Sequence, residues 1–206
     1  MPAERIAAVV LAAGRSSRMG QSKLVLPWGK TTVIGQVVVT LAQAGVDEIV
    51  VVTGGGHKQV EDALVGLPAR AVYNPEYTQD YMILTLQAGL RSLSVEAGAV
   101  LIALGDQPQM DVVVARQVIQ LYRDQRAALV VPSYQMRRGH PWLAARALWD
   151  DLLTLRPPET TRDFLNAHAA DIQYLVVETD AILRDLDTPQ DYARDRPAPA
   201  AGGLDD

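Results

Sequence analysis

Small residues and cations are concentrated in a stretch of the chain from residue 11 to residue 23. The stretch reads Leu-Ala-Ala-Gly-Arg-Ser-Ser-Arg-Met-Gly-Gln-Ser-Lys. Glycine and alanine let backbone N–H groups approach an anion, and Arg15, Arg18 and Lys23 add positive charge. The spacing matches neither a Walker A loop nor a Gly-x-Gly-x-x-Gly dinucleotide fingerprint. The stretch therefore predicts a phosphate-binding loop, with a strand-to-helix turn carrying solvated cations as the alternative.

Two acidic positions later in the chain could hold a metal ion. Asp106 comes directly after an apolar run, in the sequence Gly-Asp-Gln-Pro, and Asp187 lies in Asp-Thr-Pro-Gln-Asp. Mg²⁺ prefers carboxylate and phosphate oxygens, so Asp106 and Asp187 are candidate ligands for it. Asp185 lies two residues before Asp187 and shares its face if the segment is extended. The alternatives are a turn or helix-cap role for Asp106 and an ordinary loop carboxylate for Asp187.

A second cationic segment reads Arg137-Arg138-Gly139-His140-Pro141. A histidine beside two arginines suits an anionic ligand, although a lone histidine is more often structural. The chain contains three histidines and no cysteine. A histidine metal site, a zinc thiolate site, a disulfide and thiol catalysis are therefore not expected.

Length and composition limit the classes of protein to consider. The chain has 206 residues, of which 49% are hydrophobic and 21% charged, and its net charge is −5. These values indicate a globular protein and argue against a nucleic-acid-binding or membrane-surface protein. No apolar run approaches ~18 residues, and no signal-peptide pattern is found. We expect a cytoplasmic protein with a single domain over residues 1–195 and a flexible tail over residues 196–206.

Apolar runs alternate along the chain with segments of helical periodicity. The runs predict strands over 6–11, 48–52, 69–73, 100–104, 129–132 and 172–177. Helices are predicted over 32–44, 57–65, 82–93, 112–123, 145–154 and 162–169. This alternation predicts an α/β fold, with a mostly parallel sheet between helices on both faces. Ligands of such folds bind beyond the carboxyl ends of the strands, where the loops described above are expected.

The first stretch resembles the signature of the MobA-like nucleotidyltransferases, Leu-Ala-Ala-Gly-x-Ser-x-Arg-Met-Gly-x-x-Lys in this chain. Within that family the chain is most similar to the molybdenum cofactor cytidylyltransferases. The resemblance continues through Gly-Asp-Gln-Pro, Gly-His-Pro and Asp-Thr-Pro-Gln-Asp, and spans residues 6 to about 193. It implies a Rossmann-like three-layer sandwich and Mg²⁺-dependent transfer of CMP from CTP to the terminal phosphate of a molybdopterin-type cofactor, with release of pyrophosphate. A molybdoenzyme or its chaperone would be the protein partner.

The resemblance also implies roles for individual residues. Lys23 would lie near the α-phosphate, Arg18 would hold the triphosphate, and Asp106 and Asp187 would bind the metal, which makes Lys23, Arg18 and Asp106 the candidate catalytic residues. Arg138, Gly139 and His140 would contact the acceptor. The remaining nucleotide-binding candidates are Leu11, Ala12, Ala13, Gly14, Arg15 and Thr85.

One segment departs from the family pattern. Relatives usually carry a serine-rich segment where this chain reads Asp-Tyr-Met-Ile-Leu-Thr over residues 80–85, so Thr85 is the remaining hydroxyl. Leu-Ala-Ala-Gly and Gly-Asp-Gln-Pro resemble the cytidylyl rather than the guanylyl enzymes, which favours CTP. The alternatives are guanylyl or other nucleotidyl transfer to a different phosphorylated acceptor such as a sugar phosphate, and a non-catalytic nucleotide or cofactor carrier.

Overall fold

The structure is a computed structural model that describes residues 4–14 and 22–197. Strands and helices alternate along most of this part of the chain. The strands are β1 (Arg5–Ala12), β2 (Pro27–Trp28), β3 (Thr31–Thr32), β4 (Glu48–Thr53), β5 (Arg70–Tyr73), β6 (Ala97–Leu104), β7 (Leu129–Tyr134), β8 (Arg137–Arg138), β9 (Trp142–Ala145) and β10 (Ile172–Val176). The α-helices are α1 (Val33–Gln43), α2 (His57–Ala63), α3 (Met82–Ser92), α4 (Val112–Gln125), α5 (Trp149–Thr154), α6 (Thr161–Ala167) and α7 (Pro189–Asp195).

One large sheet forms the centre of the fold, in the order β10-β7-β9-β6-β1-β4-β5. Neighbouring strands pair in parallel, except that β9 runs antiparallel to both β6 and β7. Strand β8 pairs with β7 outside this order, and β2 and β3 form a separate hairpin. The α/β prediction with a mostly parallel sheet is confirmed.

Strand β1 lies between β4 and β6 and is covered on both faces. Ile6, Ala8 and Val10 face one hydrophobic core, and Ala7 and Val9 face the other. All five residues are 0% exposed. Because both faces are buried, such a strand is apolar at every position, which is why its sequence predicted a central strand.

Helices cover both faces of the sheet and complete three layers. Apolar residues of α1 and α4 pack in the core that contains Ile6, and those of α3, α5 and α6 pack in the opposite core. Side chains at the helix starts satisfy free backbone N–H groups: Thr32 accepts from the Gly35 N–H, and Thr160 and Thr188 form capping boxes. These caps set where α1, α6 and α7 begin.

The helix predicted over 145–154 is wrong in its first part. Residues 142–145 form β9, and the α-helix begins at Trp149. Strand β9 fills the space between β6 and β7 and pairs with both, an arrangement that local sequence does not encode. Trp142 in β9 and Trp149 at the start of α5 both belong to the core, since they are 2% and 3% exposed.

Within residues 4–14 and 22–197, no helix is long and apolar enough to cross a bilayer. The predicted tail begins at Arg196, just after α7. From residue 198 onward it lies outside the described residues.

Candidate active site

Lys23 lies between two aspartates that come from distant parts of the chain. Its Nζ is 2.6 Å from Oδ2 of Asp106 and 3.2 Å from Oδ1 of Asp187. The side chains of Lys23 and Asp106 are 16% and 22% exposed, whereas that of Asp187 is 58% exposed. The cluster is therefore covered on the side of Asp106 and open to solvent on the side of Asp187.

The parallel pairing of β1 and β6 brings the first loop next to Asp106. Both strands end at the same edge of the sheet, where the N–H of Gly105 donates to the carbonyl oxygen of Leu11 at 3.0 Å. A Cβ on Gly105 would lie 3.1 Å from that oxygen and 3.2 Å from Cβ of Ala12. Glycine lets the two strand ends approach without displacing either, and the next residue is Asp106.

The segment from Arg184 to Asp187 packs onto the end of β6. The N–H of Leu186 donates to the carbonyl oxygen of Asp106 at 3.1 Å, and Nε2 of Gln107 donates to Oδ1 of Asp185 at 2.7 Å. Burial raises the pKa of the Asp185 carboxyl above its usual value. The structure thus separates the two acids: Asp185 is bonded to Gln107, and Asp187 is bonded to Lys23.

Two opposing effects act on the Lys23 ammonium. Burial lowers its pKa, but attraction and hydrogen bonds from Asp106 and Asp187 outweigh burial, so the pKa lies above its ordinary value. Lys23 therefore remains protonated near neutral pH. One positive charge is held between two carboxylates at the edge of the sheet.

The described part of the predicted phosphate-binding loop is buried at residues 11–13 and exposed at Gly14. Ala12 and Ala13 are 3% and 6% exposed, and Leu11 is 9% exposed. A Cβ on Gly54, at the end of β4, would lie 2.9 Å from Cβ of Ala13, so the Ala13 methyl faces that backbone. The space around Gly14 is open. Arg15 and Arg18 lie outside the described residues.

Thr85 lies inside α3 and is 6% exposed. Its hydroxyl oxygen accepts a hydrogen bond from Nδ2 of Asn74 at 3.3 Å, which ties α3 to the segment after β5. Its predicted contact with a nucleotide stays a prediction. Met82, one turn earlier, is 48% exposed.

The second cationic segment lines a cavity of about 800 Å³. Arg138, Gly139 and His140 lie on its wall, beside the ends of β7 and β10. The N–H of His140 donates to the carbonyl oxygen of Ile182 at 3.0 Å, and a Cβ on Gly139 would lie 2.7 Å from Cβ of Ile182. This close approach ties the loop to the segment that continues to Asp187.

His140 contributes no positive charge to this cavity near neutral pH. Burial lowers the pKa of its imidazole to about 4. The charge at the cavity comes instead from Arg137, Arg138 and Arg162. His140 therefore offers a neutral hydrogen-bonding group.

Sequence reasoning missed three residues of this cavity: Arg162, Asn166 and Tyr174. Nε of Arg138 donates to the hydroxyl of Tyr174 at 2.9 Å, and its Nη1 donates to Oδ1 of Asn166 at 2.8 Å. Asn166 belongs to α6 and Tyr174 to β10, and no short motif contains either. Only the packing of both elements against β8 reveals them.

A sequence model of the MobA-like NTP transferase domain matches residues 8–172 of the chain. The match includes the predicted phosphate-binding loop, Lys23, Asp106 and the segment from Arg137 to His140. The chain belongs to this family. Asp185 and Asp187 lie beyond the matched residues, so their placement rests on the structure alone.

Individual relatives agree with this membership of the MobA-like family. The chain is 25% identical over 185 residues to the molybdenum cofactor cytidylyltransferase of Escherichia coli K12, covering 89% of this chain and 92% of that one. The crystal structure of Rv0371c from Mycobacterium tuberculosis superposes with a TM-score of 0.82 at 29% identity, covering 93% and 97% of the two chains. A manganese complex of Rv0371c superposes with a TM-score of 0.74 at 28% identity, covering 92% and 97%. The predicted nucleotidyltransferase fold is confirmed.

The side chains of this NTP transferase domain suit a hard divalent cation. Among the described residues, no group of three or more His, Asp or Glu side chains is arranged to hold a metal ion. Asp106 and Asp187 nevertheless share one cation, the Lys23 ammonium. Mg²⁺ needs only one or two carboxylates when phosphates and waters complete its coordination, so this pair fits.

Proposed function

We propose that the chain transfers CMP from CTP to the terminal phosphate of a molybdopterin-type cofactor and releases pyrophosphate. Membership of the nucleotidyltransferase family supports the reaction type, and the E. coli relative supports the choice of nucleotide and acceptor. The observation that carries the proposal is the position of Lys23 between Asp106 and Asp187, at the edge where β1 and β6 end. This edge is where α/β sheets bind their ligands.

The reaction explains why this site needs charge rather than a side-chain nucleophile. An oxygen of the acceptor phosphate forms a bond to the α-phosphorus of the nucleotide, and the bond from that phosphorus to the bridging oxygen of the pyrophosphate breaks. Both reactants are anions, so catalysis consists mainly of bringing them together and neutralising charge. Lys23, which stays protonated, supplies one positive charge at the α-phosphate.

Asp106 and Asp187 are the proposed ligands of a divalent cation, and we take Mg²⁺ as the natural one. The manganese complex of Rv0371c supports a divalent site in this fold. When bound, the cation would neutralise charge on the triphosphate. Asp106 and Asp187 would orient it, and Lys23 would then be free to turn toward phosphate oxygens.

The substrates occupy two sides of the same sheet edge in this proposal. Arg18 holds the triphosphate, and Ala12, Ala13 and Gly14 line the base and ribose. The acceptor lies in the cavity lined by Arg138, Gly139 and His140. Ile182, which contacts Gly139 and His140, belongs to the chain segment that leads to Asp187 and links the two sides.

The experiment measures kcat for pyrophosphate release from CTP, in the presence of Mg²⁺ and the molybdopterin acceptor. It compares wild type with Asp106→Asn. Loss of fixed charge stabilisation of this kind costs ~10²–10³ in kcat, and we expect a loss of that size. Asp124→Asn is the matched control, because Asp124 bonds to Gln120 on the exposed side of α4. Near-wild-type turnover by a folded Asp106→Asn protein would contradict the assignment. A wild-type protein that binds CTP but releases no pyrophosphate would be a carrier.

A further inference from the structure

The loop that follows β6 binds the chain segment that carries Asp187. Residues 105–111 form this loop, and residues 184–188 form the segment, which ends at the start of α7. Three hydrogen bonds join them, one to each of three consecutive residues of the segment. They run from Nε2 of Gln109 to the carbonyl oxygen of Arg184, from Nε2 of Gln107 to Oδ1 of Asp185, and from the N–H of Leu186 to the carbonyl oxygen of Asp106. The segment is therefore held against the loop just before Asp187.

Gln107 is the buried side chain of this contact. It is 2% exposed, and its Nε2 lies 2.7 Å from Oδ1 of Asp185. Its backbone is fixed as well, because its N–H donates to the carbonyl oxygen of Leu104 and its carbonyl oxygen accepts from the N–H of Met110. A carboxylate only accepts, so the group that faces Asp185 must be a donor. Gln107 is thus a donor fixed to the end of β6.

An amide suits this position because it carries no charge. A lysine or arginine at residue 107 would add a second cation near Lys23, and a glutamate would repel Asp185. The neutral amide binds Asp185 and leaves the charges of Asp106 and Asp187 to one shared cation, the Lys23 ammonium.

Asp187 depends on its neighbours in the chain for its position. Within residues 4–14 and 22–197, its carboxylate accepts one hydrogen bond, from Nζ of Lys23. Leu186, directly before it, is 0% exposed in the core that contains Ile6. Thr188, directly after it, forms the capping box of α7. A shift of the segment away from β6 would therefore move Asp187 away from Lys23.

We infer that Gln107 is a positioning residue of the proposed metal site: by holding Asp185, it places Asp187 beside Asp106, with both carboxylates on one cation. The inference rests on the proposed function, because that function assigns Asp106 and Asp187 as the metal ligands. In this role Gln107 contacts neither the metal nor the nucleotide. It changes the affinity for the metal through the segment that carries Asp187.

The first test exchanges the donor and the acceptor of the bond between Gln107 and Asp185. Gln107→Glu places two carboxylates against each other, whereas Gln107→Glu combined with Asp185→Asn restores a bond between an amide and a carboxylate at the net charge of wild type. Mn²⁺ affinity is measured by electron paramagnetic resonance on the full chain without nucleotide. Gln107→Glu should bind Mn²⁺ about tenfold more weakly than wild type, and the double variant should return to within about threefold of wild type.

The direction of this effect separates positioning from charge. By charge alone, an added carboxylate near the site would tighten Mn²⁺ binding, so tighter or unchanged binding by Gln107→Glu would overturn the inference. A double variant that binds no better than Gln107→Glu would overturn it too. Gln120→Glu is the matched control, because Gln120 donates to Oδ1 of Asp124 at the same distance of 2.7 Å on the exposed side of α4. It should bind Mn²⁺ as wild type does, and a loss equal to that of Gln107→Glu would also contradict the positioning role.

A second pair of variants tests the same bond if Gln107→Glu does not fold. Asp185→Asn and Asp185→Ala change the net charge equally, but only Asp185→Asn keeps an oxygen that accepts from Gln107. Asp185→Ala should therefore bind Mn²⁺ about tenfold more weakly than Asp185→Asn. Equal affinities of these two variants would overturn the positioning role.

Steady-state kinetics separate this inference from the proposed function. The Mg²⁺ concentration for half-maximal pyrophosphate release should be about tenfold higher in Asp185→Ala than in Asp185→Asn. The two kcat values at saturating Mg²⁺ should differ by less than about threefold, a split that general loss of structure does not produce. If wild type releases no pyrophosphate but the variants change Mn²⁺ affinity as expected, the proposed function fails and the positioning role holds. If wild type transfers CMP and the variants leave Mn²⁺ affinity unchanged, the positioning role fails alone.

Discussion

At the scale of single residues, Lys23 is the centre of the proposed site. It is a protonated side chain shared by Asp106 and Asp187, and the attraction of these acids raises its pKa. In the proposed reaction its charge matters most as the α-phosphate is attacked. It also neutralises the carboxylates that we propose as metal ligands.

Lys23→Ala should lower kcat more than it raises the KM for CTP, with a loss in kcat of ~10². The same variant leaves Asp106 and Asp187 without their cation, so Mn²⁺ should bind more tightly than to wild type when no nucleotide is present. Steady-state assays of pyrophosphate release give kcat and the KM for CTP. Titration with Mn²⁺, followed by electron paramagnetic resonance, gives the affinity for the metal. Lys58→Ala, which removes an exposed lysine paired with Asp62, is the control. A change in KM alone would contradict the role assigned to Lys23.

A second prediction at this scale concerns the base. Ala13 is 6% exposed, and its methyl faces Gly54. If that methyl narrows the base site, kcat/KM for CTP should exceed that for GTP by ~10–200-fold, and Ala13→Gly should reduce the preference. The ratio of kcat/KM for CTP to kcat/KM for GTP is measured with the same acceptor in wild type and in Ala13→Gly. Equal use of the two nucleotides by wild type would remove the reason for choosing cytidine.

At the scale of elements, the segment after β10 brings the two halves of the site together. Ile182 contacts Gly139 and His140, and Leu186 bonds to the backbone of Asp106. Farther along, the hydroxyl of Tyr192 in α7 donates to the carbonyl oxygen of Pro27 at 2.5 Å. One stretch of chain thus bridges the proposed acceptor cavity, the end of β6 and the β2–β3 hairpin.

This segment carries two acids whose roles the structure distinguishes. Asp187→Asn should lower kcat by ~10², because it removes a proposed metal ligand and the second partner of Lys23. Asp185→Asn keeps an oxygen that can accept from Gln107, so it should change kcat by less than about threefold. Pyrophosphate release at saturating CTP and Mg²⁺ compares the two. A larger loss in Asp185→Asn would exchange the two assignments.

At the scale of the whole molecule, His140, a half-buried histidine on the wall of the cavity, makes the stability of the fold depend on pH. The pKa of His140 is about 4 in the folded protein, below the ordinary value of 6.5. Between these values the unfolded chain binds a proton that the folded chain does not, so stability falls as the pH is lowered from 6.5 to 4. Hydrogen bonds from the cap residues Thr160 and Thr188 lower the pKa of Asp163 and Asp191 below 3.8, so these acids lose their contribution at lower pH.

The free energy of unfolding should therefore drop by about 2–3 kcal/mol in wild type between pH 6.5 and pH 4 on account of His140 alone. His140→Asn should lose most of this dependence, because its amide does not titrate. Urea denaturation at pH 7, 5.5 and 4.5 measures the difference, and His57→Asn is the control at an exposed position. If the free energy of unfolding fell with pH equally in wild type and in His140→Asn, the assignment of this pH dependence to His140 would be contradicted.

Local signals in the sequence were sufficient for most of the fold. Continuous apolar runs indicated β1, β4 and β6 because strands covered on both faces have no polar positions. Where a strand is short and defined by its partners, as β9 is between β6 and β7, the sequence did not predict the strand. The loop from residue 11 to residue 23 was recognisable because its glycines and cations lie together in the chain.

The sequence by itself determined the family and the α/β fold with a mostly parallel sheet, and it pointed to Lys23, Asp106 and Asp187 as candidate site residues. Short motifs carry the family and these residues, and the alternation of apolar runs with helical segments carries the fold. The tertiary structure decided which of Asp185 and Asp187 meets Lys23, since that depends on how the segment after β10 packs on β6. It also decided that His140 is neutral and that Arg138 is held by Asn166 and Tyr174. The physical reason is the same in each case: burial and hydrogen bonding between residues far apart in the chain exist only once the sheet has brought them into contact.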